Sequence, residues 1–78
     1  MTEYEHIKQC YISIVQFAMS INVEYEQLKL LNEMVHKFCE QFVETGNYSD
    51  KYKQLMKYYL KVVKEILSKE IEEYGRNT

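Results

Sequence analysis

Two E-x-x-H pairs, Glu3/His6 and Glu33/His36, are the residues of this 78-residue chain best suited by type and spacing to hold a metal. A carboxylate and an imidazole three positions apart share a helix face, and two such pairs on facing helices form part of a di-iron carboxylate centre. Two further inward-facing carboxylates would be needed. Glu33 and His36 also fall at the outward f and b positions of the apolar repeat in their own segment. Both pairs therefore read as solvated surface residues, and no metal or cofactor is expected. Cys39 stands three residues from His36, but a thiol among apolar neighbours beside a surface histidine is ordinary packing. The chain has no Gly-rich phosphate loop and no zinc-type cysteine spacing, and its polar residues segregate onto outward faces. Acid–base or nucleophilic catalysis is not expected.

A different chemistry is offered by Lys53, Lys57, Lys61 and Lys64, with Lys51 nearby and no acidic residue between Asp50 and Glu65. On a helix the four lysines span an arc of about 80°, enough to follow a row of phosphates, with Tyr58 beside them to stack on a base. The stripe contains no Arg, the side chain best shaped for bidentate contacts to phosphates or base edges. A solvated lysine face that keeps an apolar helix soluble, partly paired through Lys61 with Glu65, is the stronger account, and nucleic-acid binding is the second reading here. Eight tyrosines are many for this length. A ring with a polar tip suits both the rim of a core and a protein-binding patch.

The elements that must position these residues are helices. The chain has no Pro and only two glycines, Gly46 and Gly75. Thr2 and Glu5 form a T-x-x-E capping box that starts a helix over about 3–20. In it His6, Gln9, Ser13, Gln16 and Ser20 make one narrow polar stripe, while most other positions from Cys10 onward are apolar. Asn22 is expected to cap a second helix over about 23–45, although one continuous rod through this junction is the alternative. Leu28, Leu31, Val35, Phe38 and Phe42, spaced by 3, 4, 3 and 4, are expected to face the core, widened by Met34 and Cys39. Gly46 should stop this helix in the left-handed conformation, and Ser49 or Asp50 should cap a third over about 50–74, after which the end frays. The third helix carries a broad apolar face from Tyr52 to Tyr74.

One domain is expected, an all-α, three-helix antiparallel bundle that self-associates into a dimer. The dimer follows from surplus: 46% of residues are hydrophobic, and no charge occurs between Gln9 and Val23, so the first helix wants neighbours on more than one side. A monomer of this size buries only about 60% of its chain surface. The uncharged run is too short and too polar to span a membrane, and the acidic N-terminus lacks a secretory pattern, so a cytoplasmic location without membrane insertion is expected. Cys10 and Cys39 are expected to be structural thiols, since an axial offset of roughly 7 Å at 1.5 Å per residue is poor for a bridge. Net charge is −2, with the two signs interspersed.

These features favour a non-catalytic protein-interaction module, such as an inhibitor, antitoxin, anti-defence factor or adaptor, docking helix 1 on a protein partner through Tyr11, Ile14, Val15, Phe17, Ala18 and Ile21. A bacteriocin-immunity-like bundle is a third reading, on architecture alone. Richness in Lys, Ile, Tyr, Asn and Glu points to an AT-rich genome such as that of a phage or mobile element.

Overall fold

The computed structural model describes residues 2–77. It contains three helices, α1 (Glu3–Ser20), α2 (Tyr25–Thr45) and α3 (Asp50–Arg76), joined by two four-residue turns. Short turns force antiparallel neighbours. Every pair of helices is in contact, most extensively α2 with α3. The 27 residues of α3 set the long dimension of the molecule, 43 Å.

The helix ends show why the elements stop where they do. Thr2 caps α1, its hydroxyl accepting a hydrogen bond from the Glu5 N–H at 3.2 Å. Ser49 caps α3 by accepting from the Tyr52 N–H, also at 3.2 Å. The α1–α2 junction differs from expectation. Asn22 is not the cap of α2 but the left-handed residue that terminates α1, at φ 62°. The Asn22 N–H donates to the Met19 carbonyl and the Val23 N–H to the Ala18 carbonyl, a Schellman arrangement for which Asn is the usual substitute for glycine. Glu24 then precedes α2 without a side-chain cap, so the single-rod alternative is set aside. Gly46 ends α2 in extended rather than left-handed backbone, at φ −75° and ψ 164°. Its requirement is spatial: a Cβ there would lie 2.3 Å from the Tyr48 ring.

Rather than fraying at residue 74, α3 continues to Arg76; Thr78 lies outside the described residues. Gly75 allows this, since a Cβ at that position would lie 2.4 Å from the Tyr25 ring. The Tyr25 hydroxyl donates to Glu72 at 2.6 Å, and the Tyr74 hydroxyl to the Val23 carbonyl at 2.7 Å, tying the end of α3 to the α1–α2 turn. At the opposite end Tyr48 donates to Glu3, and Tyr4 packs on Tyr59. Most of the tyrosines thus staple helix ends together.

The core is formed by Tyr11, Val15 and Ala18 of α1, Leu28 and Val43 of α2, and Met56, Leu60, Val63, Leu67 and Ile71 of α3. Two polar side chains are buried among them, Asn32 and His36. The Tyr11 hydroxyl donates to Asn32, reaching its side-chain oxygen and, at 3.0 Å, its carbonyl. The Asn32 amide in turn donates to Ser68 Oγ at 3.0 Å and to the Lys64 carbonyl at 3.3 Å. The network joins all three helices, through Tyr11 of α1, Asn32 of α2, and Ser68 and Lys64 of α3.

Burial of Asn32 and His36 corrects the expected orientation of α2. The inward stripe runs through Leu28, Asn32, His36 and Val43, so Phe38 and Phe42 of the expected seam lie outside, Phe38 78% exposed. His36, expected at the surface, has its Nδ1 3.8 Å from Glu40 and its buried Nε2 without a hydrogen-bond partner among the described residues. Cys10 is a second correction, exposed rather than buried, because it lies on the outer stripe of α1.

Replacing Tyr11 by Phe leaves the buried Asn32 oxygen without its donor and is expected to lower unfolding free energy by about 1–3 kcal/mol in urea titration. His36 supplies a pH prediction. Burial holds its pKa below 6.5, opposed by Glu40 and Glu33 and reinforced by Lys64 and Lys61. The unfolded chain then binds the proton more readily, so this contribution to stability is complete above pH 6.5 and declines as pH falls below it. Thermal melts of His36→Gln should lack that decline, which in the native protein precedes the titration of Glu33 and Glu44 at more acidic pH.

Candidate functional site

Each of the first two helices carries two apolar stripes. On α1 one stripe, Tyr11, Val15 and Ala18, fills the core, and these three of the six expected docking positions are therefore closed to any partner. The correction has a simple cause: at 100° per residue they share the inner arc, while Ile14, Phe17 and Ile21 point away from it. Those three remain exposed, Phe17 at 65%. Their stripe extends at spacings of 4, 3, 4 and 3 back from Ile21 to Cys10 and Ile7. On α2 the second stripe is Met34, Phe38 and Phe42, displaced from the core by Asn32 and His36, with Leu31 half-buried at its edge and still packed on the core.

The two outer stripes meet in a shallow groove of about 700 Å³ between α1 and α2. It is lined by Ile7, Cys10, Ile14, Leu31, Met34, Val35, Phe38, Cys39 and Phe42, floored by Tyr11, and bounded at one end by Glu3 and His6. Those two end residues are its only acidic or basic side chains. Surrounded by apolar residues, the groove offers a surface for burial and little that could polarise or protonate a substrate.

The thiols of Cys10 and Cys39 are both free and both line the groove. Burial raises the Cys39 pKa to about 11, with the neighbouring Cys10 adding to the shift. The E-x-x-H pairs are not assembled. Glu3 accepts from Tyr48, Glu33 pairs with Lys64 at 2.9 Å, and His36 lies in the core. Among the described residues no three His, Cys, Asp or Glu side chains come together as a metal site requires.

Charge is gathered on the other flank of α2, against α3. Lys57 forms an ion pair with Glu44, Lys53 donates to the Glu44 carbonyl at 2.8 Å, and Lys64 reaches Glu33. These hydrogen bonds hold the Glu33 and Glu44 carboxyls below their usual range and raise the Lys57 ammonium. Three of the four stripe lysines therefore turn to α2, and Lys61 remains on the exposed side. A second, smaller apolar patch on α3 includes Leu55, Tyr59 and Ile66.

Of the groove's lining the sequence reading names Tyr11 and Ile14 on α1, and it places the α2 side in the core. The signal was present: Leu28, Asn32, His36, Cys39 and Val43 also recur at helical spacing, but two polar members made this seam rank below the all-apolar one. The different settings of the thiols can be checked. In protein dilute enough to leave the groove uncovered, a water-soluble alkylating reagent at neutral pH should modify Cys10 well ahead of Cys39, whose thiolate is scarce until the pH approaches 11. Equal rates, followed by peptide mass spectrometry, would contradict the placement of the two residues.

Among the described residues no helix is long and apolar enough to cross a membrane. No protein-family model matches the chain, and comparisons with curated proteins and with solved structures give no match.

Proposed function

We propose that this protein is a non-catalytic interaction module that docks the apolar face of α1 and α2 on a protein partner. The observation that carries this reading is the second apolar stripe of α2, which runs alongside that of α1 and places Phe17, Met34, Phe38 and Phe42 in solvent, each more than half exposed. A few scattered apolar residues on a surface need no explanation, but two parallel stripes flanking one groove form a contiguous patch, and such patches mark interaction sites. The residues at its centre are aromatic, aliphatic and Met, the types that dominate binding energy when desolvated.

An inhibitor, antitoxin, anti-defence factor or adaptor could all work in this way, by occupying a surface on another macromolecule. Self-association through the same face belongs to this reading. Nucleic-acid binding gains no support, because Lys57 and Lys64 are paired with carboxylates of α2 and Lys53 is held on the Glu44 carbonyl, leaving Lys61 alone of the four on the open side.

Replacing Phe38 by Glu places a charge at the centre of the face, where burial against a partner leaves it unpaired, a loss of roughly 3 kcal/mol or about 100-fold in affinity. Tagged protein captured from nuclease-treated lysate of its native host should retain a protein that the Phe38→Glu form loses, with helicity unchanged by circular dichroism. Retention by both forms, or capture of nucleic acid alone, contradicts the reading.

A further inference from the structure

We infer that the occupant of the α1/α2 face is a second copy of the same chain, related by a two-fold axis, so that the two α1–α2 hairpins pack as a four-helix layer with the α3 helices outside. This rests on the docking reading above and assigns its partner.

Three observations converge on that occupant. The first is the extent of the face. Its apolar surface does not stop at the groove: Phe17 and Ile21 of α1 continue the stripe beyond the groove lining. A single partner helix, about 10 Å across, fills a groove between two helices but leaves its outer ridges wet. Covering both ridges requires an apolar surface two helices wide, and the chain itself presents one.

The second is charge. The α1 stripe has no charged residue between Cys10 and Ile21, and on α2 Glu33 and Glu44 are paired with Lys64 and Lys57 of α3, away from the groove. A two-fold interface brings each patch against itself, so like charges would repel across the axis. With Glu3 and His6 confined to one end of the groove, the middle of the face avoids that penalty and offers nothing to select a charged partner.

The third is area. The chain exposes 5680 Å², against roughly 5,000 Å² for a compact monomer of its mass. That surplus belongs to the whole elongated surface, 43 × 18 × 17 Å, and a standard stable interface, which removes ~800 Å² from each partner, would more than offset it. Apolar stripes at 3-4 spacing on antiparallel helices also give the ridges and grooves that four-helix packing interdigitates.

The test uses the purified 78-residue chain alone, by light scattering across a dilution series, with Phe38→Glu and Ile14→Glu as face variants and Tyr58→Glu as a variant on exposed α3. The expected result is a dimer in the native and Tyr58→Glu proteins, with dissociation at least about 100-fold easier in both face variants. A dimer unaffected by the face variants overturns the inference. A native chain that is monomeric at every concentration overturns it too, and the lysate capture then decides the broader reading: a partner lost with Phe38→Glu leaves docking intact, and none defeats both.

Discussion

The orientation of every helix in this protein is set by the side chain of Asn32. A buried amide must place both its oxygen and its nitrogen on partners, and here the oxygen takes the Tyr11 hydroxyl of α1 while the nitrogen reaches Ser68 and the Lys64 carbonyl of α3. Apolar contacts tolerate rotation of a helix about its axis, because one aliphatic residue can replace another. Hydrogen bonds to two neighbouring helices do not. With Asn32 directed inward, Leu28, His36 and Val43 must follow on the same arc.

The rest of the molecular surface is a consequence of that rotation. Turning Asn32 inward turns Met34 and Phe38 outward, alongside Ile14 and Phe17 of α1, and leaves a groove where a bundle of optimal apolar burial would have had core. The same rotation brings Glu33 and Glu44 against Lys64 and Lys57. Exposed ion pairs such as these add little to stability, but they sort charge to one flank of α2 and leave the other flank free of it. A polar core network and an uncharged apolar face are thus two sides of one arrangement.

Much of this was legible from residue order. Thr2 and Ser49 announced two helix starts, the lack of Pro announced three long helices, and the polar stripe from His6 to Ser20 lies in solvent as its spacing required. What was not legible has physical reasons. The rotation of α2 depends on partners that Asn32 finds on other helices, and no local pattern records them. Asn22 was read as a start because asparagine suits both a helix cap and a left-handed stop, and only the backbone distinguishes the two. Sequence assigns Gly46 a left-handed stop and Gly75 a place in a frayed end, whereas both make room for tyrosine rings that approach from distant or looped positions. On α1, inner and outer apolar residues are chemically alike, so Tyr11, Val15 and Ala18 could not be separated from Ile14, Phe17 and Ile21 by type.

The most direct measurement is the unfolding free energy of Asn32→Asp, by urea titration as a function of pH. With residue 32 in the core, the change puts a carboxylate where an amide donated to Ser68 and Lys64. A loss of several kcal/mol at neutral pH is expected, enough to unfold a domain of this size, with recovery as acid neutralises the buried carboxyl. A change within about 0.5 kcal/mol at every pH would show residue 32 to be at the surface. In that case α2 would be turned the other way, Phe38 would lie in the core, and the docking face would not exist.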